Sequence, residues 1–121
     1  MTLTNQKIYE YASGLIVFNG FDIKLPVKIS FFLQKNIKII TEAAQEVNEA
    51  RLEIARTYGT YSEEEGVYNI PTESIPITQS EINDLFNLEQ DLNIHIFKLD
   101  DFDNIELTYQ QLSAIMFMIE E

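Results

Sequence analysis

The sequence predicts an α+β domain: a small helical fold with one dominant helix over residues 26–58 and a minor antiparallel β element. Three observations carry this. After Pro26 the chain runs to Tyr58 without glycine or proline, with apolar side chains recurring at steps of four and three. Two later blocks, Thr78 with Glu81 and Thr108 with Gln111, have the Ser/Thr-x-x-Glu/Gln spacing of helix capping boxes. The remaining apolar runs flank turn residues or are β-branched, as short strands require. The 121 residues make a single domain, 1–121.

In chain order, TLTNQKIYEYASG predicts a short amphipathic helix over 5–13, with Thr4 as cap and Gly14 as stop. LIVFNGFDIK follows. Asn19-Gly20 between apolar runs predicts a type I′ hairpin that sets Phe18 opposite Phe21 and Ile16 opposite Ile23. Pro26 suits the first position of the long helix, where its missing N–H is not needed. Within 26–58, Leu33, Ile37, Ile40, Ala44, Val47, Ile54 and Tyr58 form a heptad seam interrupted by Arg51. Glu42, Glu46, Glu49 and Glu53 lie off the seam, towards water. The β-branched KNIKIIT stretch is the helix's weak point.

Thirty-three helical residues span about 50 Å, against roughly 35 Å for a sphere of this chain length. Either the helix breaks near 36–41 or its overhang packs on a second copy. The seam residues are accordingly the candidate self-association surface, with a dimer the expected state. Gly59 ends the helix. Residues 60–80 read as a connector with a strand at Val67–Ile70, then a helix opened by Thr78. LNIHIFKL predicts a strand over Leu92–Leu99, and Thr108 opens a last helix holding Leu112, Ile115, Met116 and Ile119.

Charge is unevenly laid out. Residues 1–60 carry seven Lys/Arg against six Asp/Glu, and residues 61–121 carry one Lys against fourteen Asp/Glu, within a net charge of −12. An acidic half without a basic footprint argues against nucleic acid as partner. No apolar run is long enough for a membrane span, and the N-terminus lacks a secretory pattern, so a cytoplasmic protein is expected. With no cysteine there is no disulfide or thiolate chemistry.

His95, the single histidine, has no nucleophile or metal partner at useful spacing and reads as structural. Asp100, Asp101, Asp103 and Glu106 lack the glycine of a calcium loop. No phosphate-loop, dinucleotide, serine-elbow or zincin string occurs. The reading is therefore non-enzymatic, with no catalytic residue, metal or cofactor. Two sets of residues remain for binding. Glu63, Glu64 and Glu65 with Tyr61 and Tyr68, together with Asp100, Asp101 and Asp103, suit a protein partner, as apolar anchors in a charged rim. Lys24, Lys28, Lys35 and Lys38 suit a small anion held between copies.

At LPVKISFFLQKN (25–36), EARLEIARTYG (49–59) and LTYQQLSAIMFMIEE (107–121) the sequence resembles an uncharacterised family of small tailed-phage and prophage proteins. The resemblance implies a phage-encoded protein of the host cytoplasm or the virion, and supplies no catalytic residue. The expectation is an interaction protein that binds and inhibits a host protein, such as a defence component. The alternatives are an oligomeric sponge for a small anionic or nucleotide signal and a virion-assembly accessory protein.

Overall fold

A computed structural model describes residues 1–19 and 23–120 of the chain. Strand β1 (Thr2–Thr4) leads directly into helix α1 (Asn5–Asn19). Thr4 caps it as expected, its Oγ1 accepting the Lys7 amide at 3.2 Å. The helix does not stop at Gly14. It continues for five residues, so Leu15–Phe18 are helical and the expected first strand of a hairpin is absent. The physical reason is a stripe the turn signal obscured: Ile8, Ala12, Leu15 and Phe18 recur at helical spacing and are all buried. Gly14 lies over Ala114. Ile23 stands in no strand, and the Gly20 and Phe21 half of the expected hairpin lies outside the described residues.

Helix α2 (Val27–Tyr58) is continuous for 32 residues, about 48 Å. Pro26 sits one position ahead of its expected place, outside the first turn, with its carbonyl accepting the Ser30 amide at 2.9 Å. The helix does not break at 36–41. Asn36, only 1% exposed, bonds laterally through its side chain to the backbone of His95. The Thr41 hydroxyl donates to the Ile37 carbonyl at 2.8 Å. The tertiary contact of Asn36 thus helps hold a stretch of modest propensity helical. Glu42, Glu46, Glu49 and Glu53 face water as expected.

The seam itself turns inward. Leu33, Ile37, Ile40 and Ala44 are buried in this chain's own core, in one cluster with residues of α1 and the C-terminal segment, and Val47 is buried as well. They are therefore corrected from a self-association surface to an intramolecular one, and only Ile54 and Tyr58 remain half-buried. The length of α2 no longer argues for a second copy either, because α3 packs along it as far as Tyr58.

Gly59 ends α2, but not by a left-handed turn: its φ is −125°. A Cβ there would lie 2.9 Å from the Ala55 carbonyl oxygen and 3.0 Å from that of Asn69. Close approach of backbone, not positive φ, requires the glycine. Strands β2 (Thr60–Ser62) and β3 (Val67–Asn69) then form an antiparallel hairpin with Tyr61 opposite Tyr68. Of this pair only β3 is legible as a strand in the sequence. Gly66 takes φ 69° in its turn.

Helix α3 (Ile75–Asn87) begins three residues before the predicted capping box. Pro76 fits its first turn. Thr78 is consequently internal and buried, its hydroxyl donating to the Ser74 carbonyl at 2.7 Å. Strand β4 (Glu89–Asp91) pairs antiparallel with β1. The predicted strand 92–99 shrinks to β5 (Phe97–Lys98), which pairs in parallel with β6 (Ile119–Glu120). The reason lies again in Asn36, which occupies both the N–H and the C=O of His95 that a neighbouring strand would need. A 3₁₀ turn covers Leu99–Phe102, and Asn104 adopts φ 67° after it. Helix α4 (Tyr109–Ile115) has the predicted reciprocal box: Gln111 N–H to Thr108 Oγ1 at 3.2 Å, Thr108 N–H to Gln111 Oε1 at 2.8 Å.

Candidate functional site

The two candidate surfaces fall at opposite ends of α2, so about 45 Å of helix separates them. At its C-terminal end stands the β2–β3 hairpin. The Tyr61 and Tyr68 rings meet across the strands at 5.1 Å between centroids, as residues opposed in an antiparallel pair can. Glu63, Glu64 and Glu65 form the turn and are exposed, as are Tyr61 and Val67. The turn is held by two bonds to Ser62: the Gly66 amide to its carbonyl at 2.8 Å, and the Glu65 amide to its Oγ at 3.3 Å.

A side-chain hydrogen bond ties this hairpin to α2. Arg56 donates from Nε to the Tyr68 hydroxyl at 3.1 Å and from its guanidinium to Glu53. These contacts, that with Tyr68 first, raise the Arg56 pKa above its ordinary value. The Tyr58 hydroxyl donates to Glu81 Oε1 at 2.9 Å, joining α2 to α3. That bond, seconded by desolvation, raises the Tyr58 pKa. Glu81, expected in a capping box, serves here instead.

Asp100, Asp101 and Asp103 do not join the glutamates. They lie beyond β5, near the N-terminal end of α2, so the eight residues expected to act as one protein-binding set are divided between two places. Asp101 faces a cleft of about 310 Å³ whose walls include Lys28, Phe32, His95, Phe97 and Lys98. Phe32 and His95 stack nearly parallel at 4.0 Å, and Phe97 meets the His95 ring edge-on at 4.8 Å. The Asn36 amide holds His95 from both sides of its backbone, donating to its carbonyl at 2.8 Å and accepting its N–H at 2.8 Å. Lys98 N–H donates to Asp101 Oδ2 at 2.9 Å.

The four lysines expected to hold an anion are likewise divided. Lys28 lines this cleft, and Lys35 an adjoining one that shares Phe32 and His95. Lys24 borders a separate hollow with Asp103 and Glu106, and Lys38 is exposed elsewhere on α2. Sequence spacing does contain part of the arrangement, since Lys28, Phe32 and Lys35 step by four and three along one helix face. It carries no sign of His95, Phe97 or Lys98, which arrive from some sixty residues away.

Among the described residues no group of three or more His, Asp or Glu side chains gathers to hold a metal ion. No described helix is long and apolar enough to cross a membrane. Comparison with protein-family models, curated proteins and solved structures returns no match to this chain.

Proposed function

We propose that this chain is a non-enzymatic interaction protein that binds a basic surface of a partner protein through the β2–β3 hairpin. The observation that supports this reading is the hairpin's composition. Two tyrosines and an exposed valine sit beside three glutamates that make no ion pair among the described residues. Apolar anchors give such a contact its lifetime, and the acidic rim speeds encounter with a positive surface. In keeping with the phage resemblance, the partner proposed is a host protein that the contact inhibits, in the host cytoplasm.

The test is capture of host proteins on the immobilised chain, compared with Glu63→Lys/Glu64→Lys/Glu65→Lys and with Tyr61→Ala. The expected result is a partner retained by the parent chain, released by rising salt, and lost from both variants. Salt sensitivity follows because interactions of exposed charges are screened within about 10 Å at 0.1 M. Equal retention on all three proteins would refute the proposal.

A further inference from the structure

We propose that the cleft between Lys28 and Lys98 binds a mononucleotide, its phosphate on the two lysines and its base among the aromatic walls. This stands apart from the hairpin reading and rests on residues at the other end of α2. The cleft volume of about 310 Å³ is within the range of pockets that take small ligands. Phe32 and His95 are half-buried and offer ring surface to the cleft, backed by Phe97, which is itself only 2% exposed; aromatic groups pair well with planar rings in stacked or edge-on geometry.

The placement of charge is the second observation. Lys98 is the one Lys or Arg in residues 61–121, and the fold sets it on the same cleft as Lys28 in a protein of net charge −12. Neither lysine forms an ion pair among the described residues, so both ammonium groups are available to a phosphate. Asp101 offsets one of the two charges, so the side chains lining the cleft keep a net charge of +1; one of its oxygens accepts the Lys98 N–H at 2.9 Å. Its other oxygen is an acceptor for a sugar hydroxyl or an exocyclic amine. A nucleotide offers those donors and bare phosphate does not.

Preorganisation is the third. Asn36 fixes the His95 backbone through two bonds of 2.8 Å from a position 1% exposed. The irregular segment that carries the ring is therefore held in place before any ligand arrives, which lowers the ordering loss on binding. Lys28, Lys98, Phe32, His95 and Asp101 belong to one chain, so no second copy is needed to complete the site.

His95 is the only histidine, so its ring protons give one unambiguous pair of signals in a proton NMR titration. The probes are AMP, GMP, CMP and UMP, with adenosine and inorganic phosphate as controls. At least one nucleotide is expected to shift the His95 signals saturably at millimolar concentration or below, with weaker effects from adenosine and from phosphate alone. Lys28→Ala and Lys98→Ala should each weaken binding roughly tenfold, the loss of one charge-assisted contact, while Lys38→Ala leaves it unchanged. Circular dichroism melts confirm that the variants fold. Absence of a saturable shift with all four nucleotides would overturn the proposal. So would undiminished binding to the Lys28→Ala/Lys98→Ala double variant, or phosphate alone matching the nucleotides.

Discussion

Asn36 is the residue on which the fold and the cleft both depend, and its removal is a quantitative test. Its side chain makes two hydrogen bonds of 2.8 Å to the His95 backbone and a 3.4 Å contact from Nδ2 to Met118 Sδ. Asn36→Ala deletes both backbone bonds and leaves an amide and a carbonyl without partners. A typical bond contributes about 1 kcal/mol net, and a buried group left unpaired costs about 1–3 kcal/mol. Because His95 is only half-buried, water can reach part of the exposed backbone, and the expected loss is about 2–4 kcal/mol. For a domain of this size that lowers the melting temperature by roughly 10 °C. Urea melts supply the free energy, and hydrogen exchange at the His95 amide reports whether the loss is local.

The companion variant, Asn36→Asp, keeps an acceptor for the His95 N–H but sets a carboxylate against its carbonyl. Burial raises the pKa of such a group in the folded state. The protonated carboxyl can donate to the carbonyl, so this variant's relative stability should be full below the unfolded carboxylate value and decline as pH rises through the raised folded value. If Asn36→Ala costs under about 1 kcal/mol, or the His95 amide stays protected from exchange, the lateral bonds do not hold this segment and the reasoning fails.

Three further outcomes are expected. Tyr58 has a raised pKa because its neutral hydroxyl donates to Glu81; that contribution to stability is intact below about pH 10 and is lost as pH climbs through the folded value. Tyr58→Phe should therefore melt slightly lower at pH 7 and show a shallower alkaline decline than the parent in pH-dependent melts. Gly59→Ala forces a methyl against two carbonyl oxygens and should destabilise by about 1–3 kcal/mol in urea melts, where an unhindered helix end would tolerate it. The Glu63→Lys/Glu64→Lys/Glu65→Lys chain should melt within a few degrees of the parent, since its carboxylates are exposed turn residues without ion pairs among the described residues.

What could be read from the sequence follows a physical line. The class, the long helix and the Thr108–Gln111 box are local or periodic signals, and nearby residues suffice to make them. The Asn19-Gly20 signal failed because a local turn preference competed with a buried stripe from Ile8 to Phe18, which carries the helix on to Asn19. Thr78–Glu81 failed for a similar reason: Pro76 fits the first turn of an earlier helix start, and Tyr58 takes Glu81 as an acceptor. The strand at 92–99 was lost to a polar side chain. Nothing in LNIHIFKL announces that an asparagine sixty residues upstream will use the backbone groups of its central histidine.

The same asparagine explains why half of the cleft was legible and half was not. Lys28, Phe32 and Lys35 follow from helix geometry alone, as does Asn36 one turn beyond Phe32. Asparagine in a helix interior facing the core is a poor choice for propensity and for burial. It becomes a good one only when a backbone segment from elsewhere satisfies both ends of its amide, and here His95 does so. A buried polar residue beside an apolar seam therefore marks where a non-local segment docks. Arg51, which interrupts the seam itself, shows the contrast. It is half-buried and satisfies its guanidinium locally, donating from Nη2 to Asn48 Oδ1 at 2.8 Å. Of the two, only Asn36 reaches across the fold, and the segment it holds brings His95, Phe97 and Lys98 to the helix face that already carries Lys28 and Phe32.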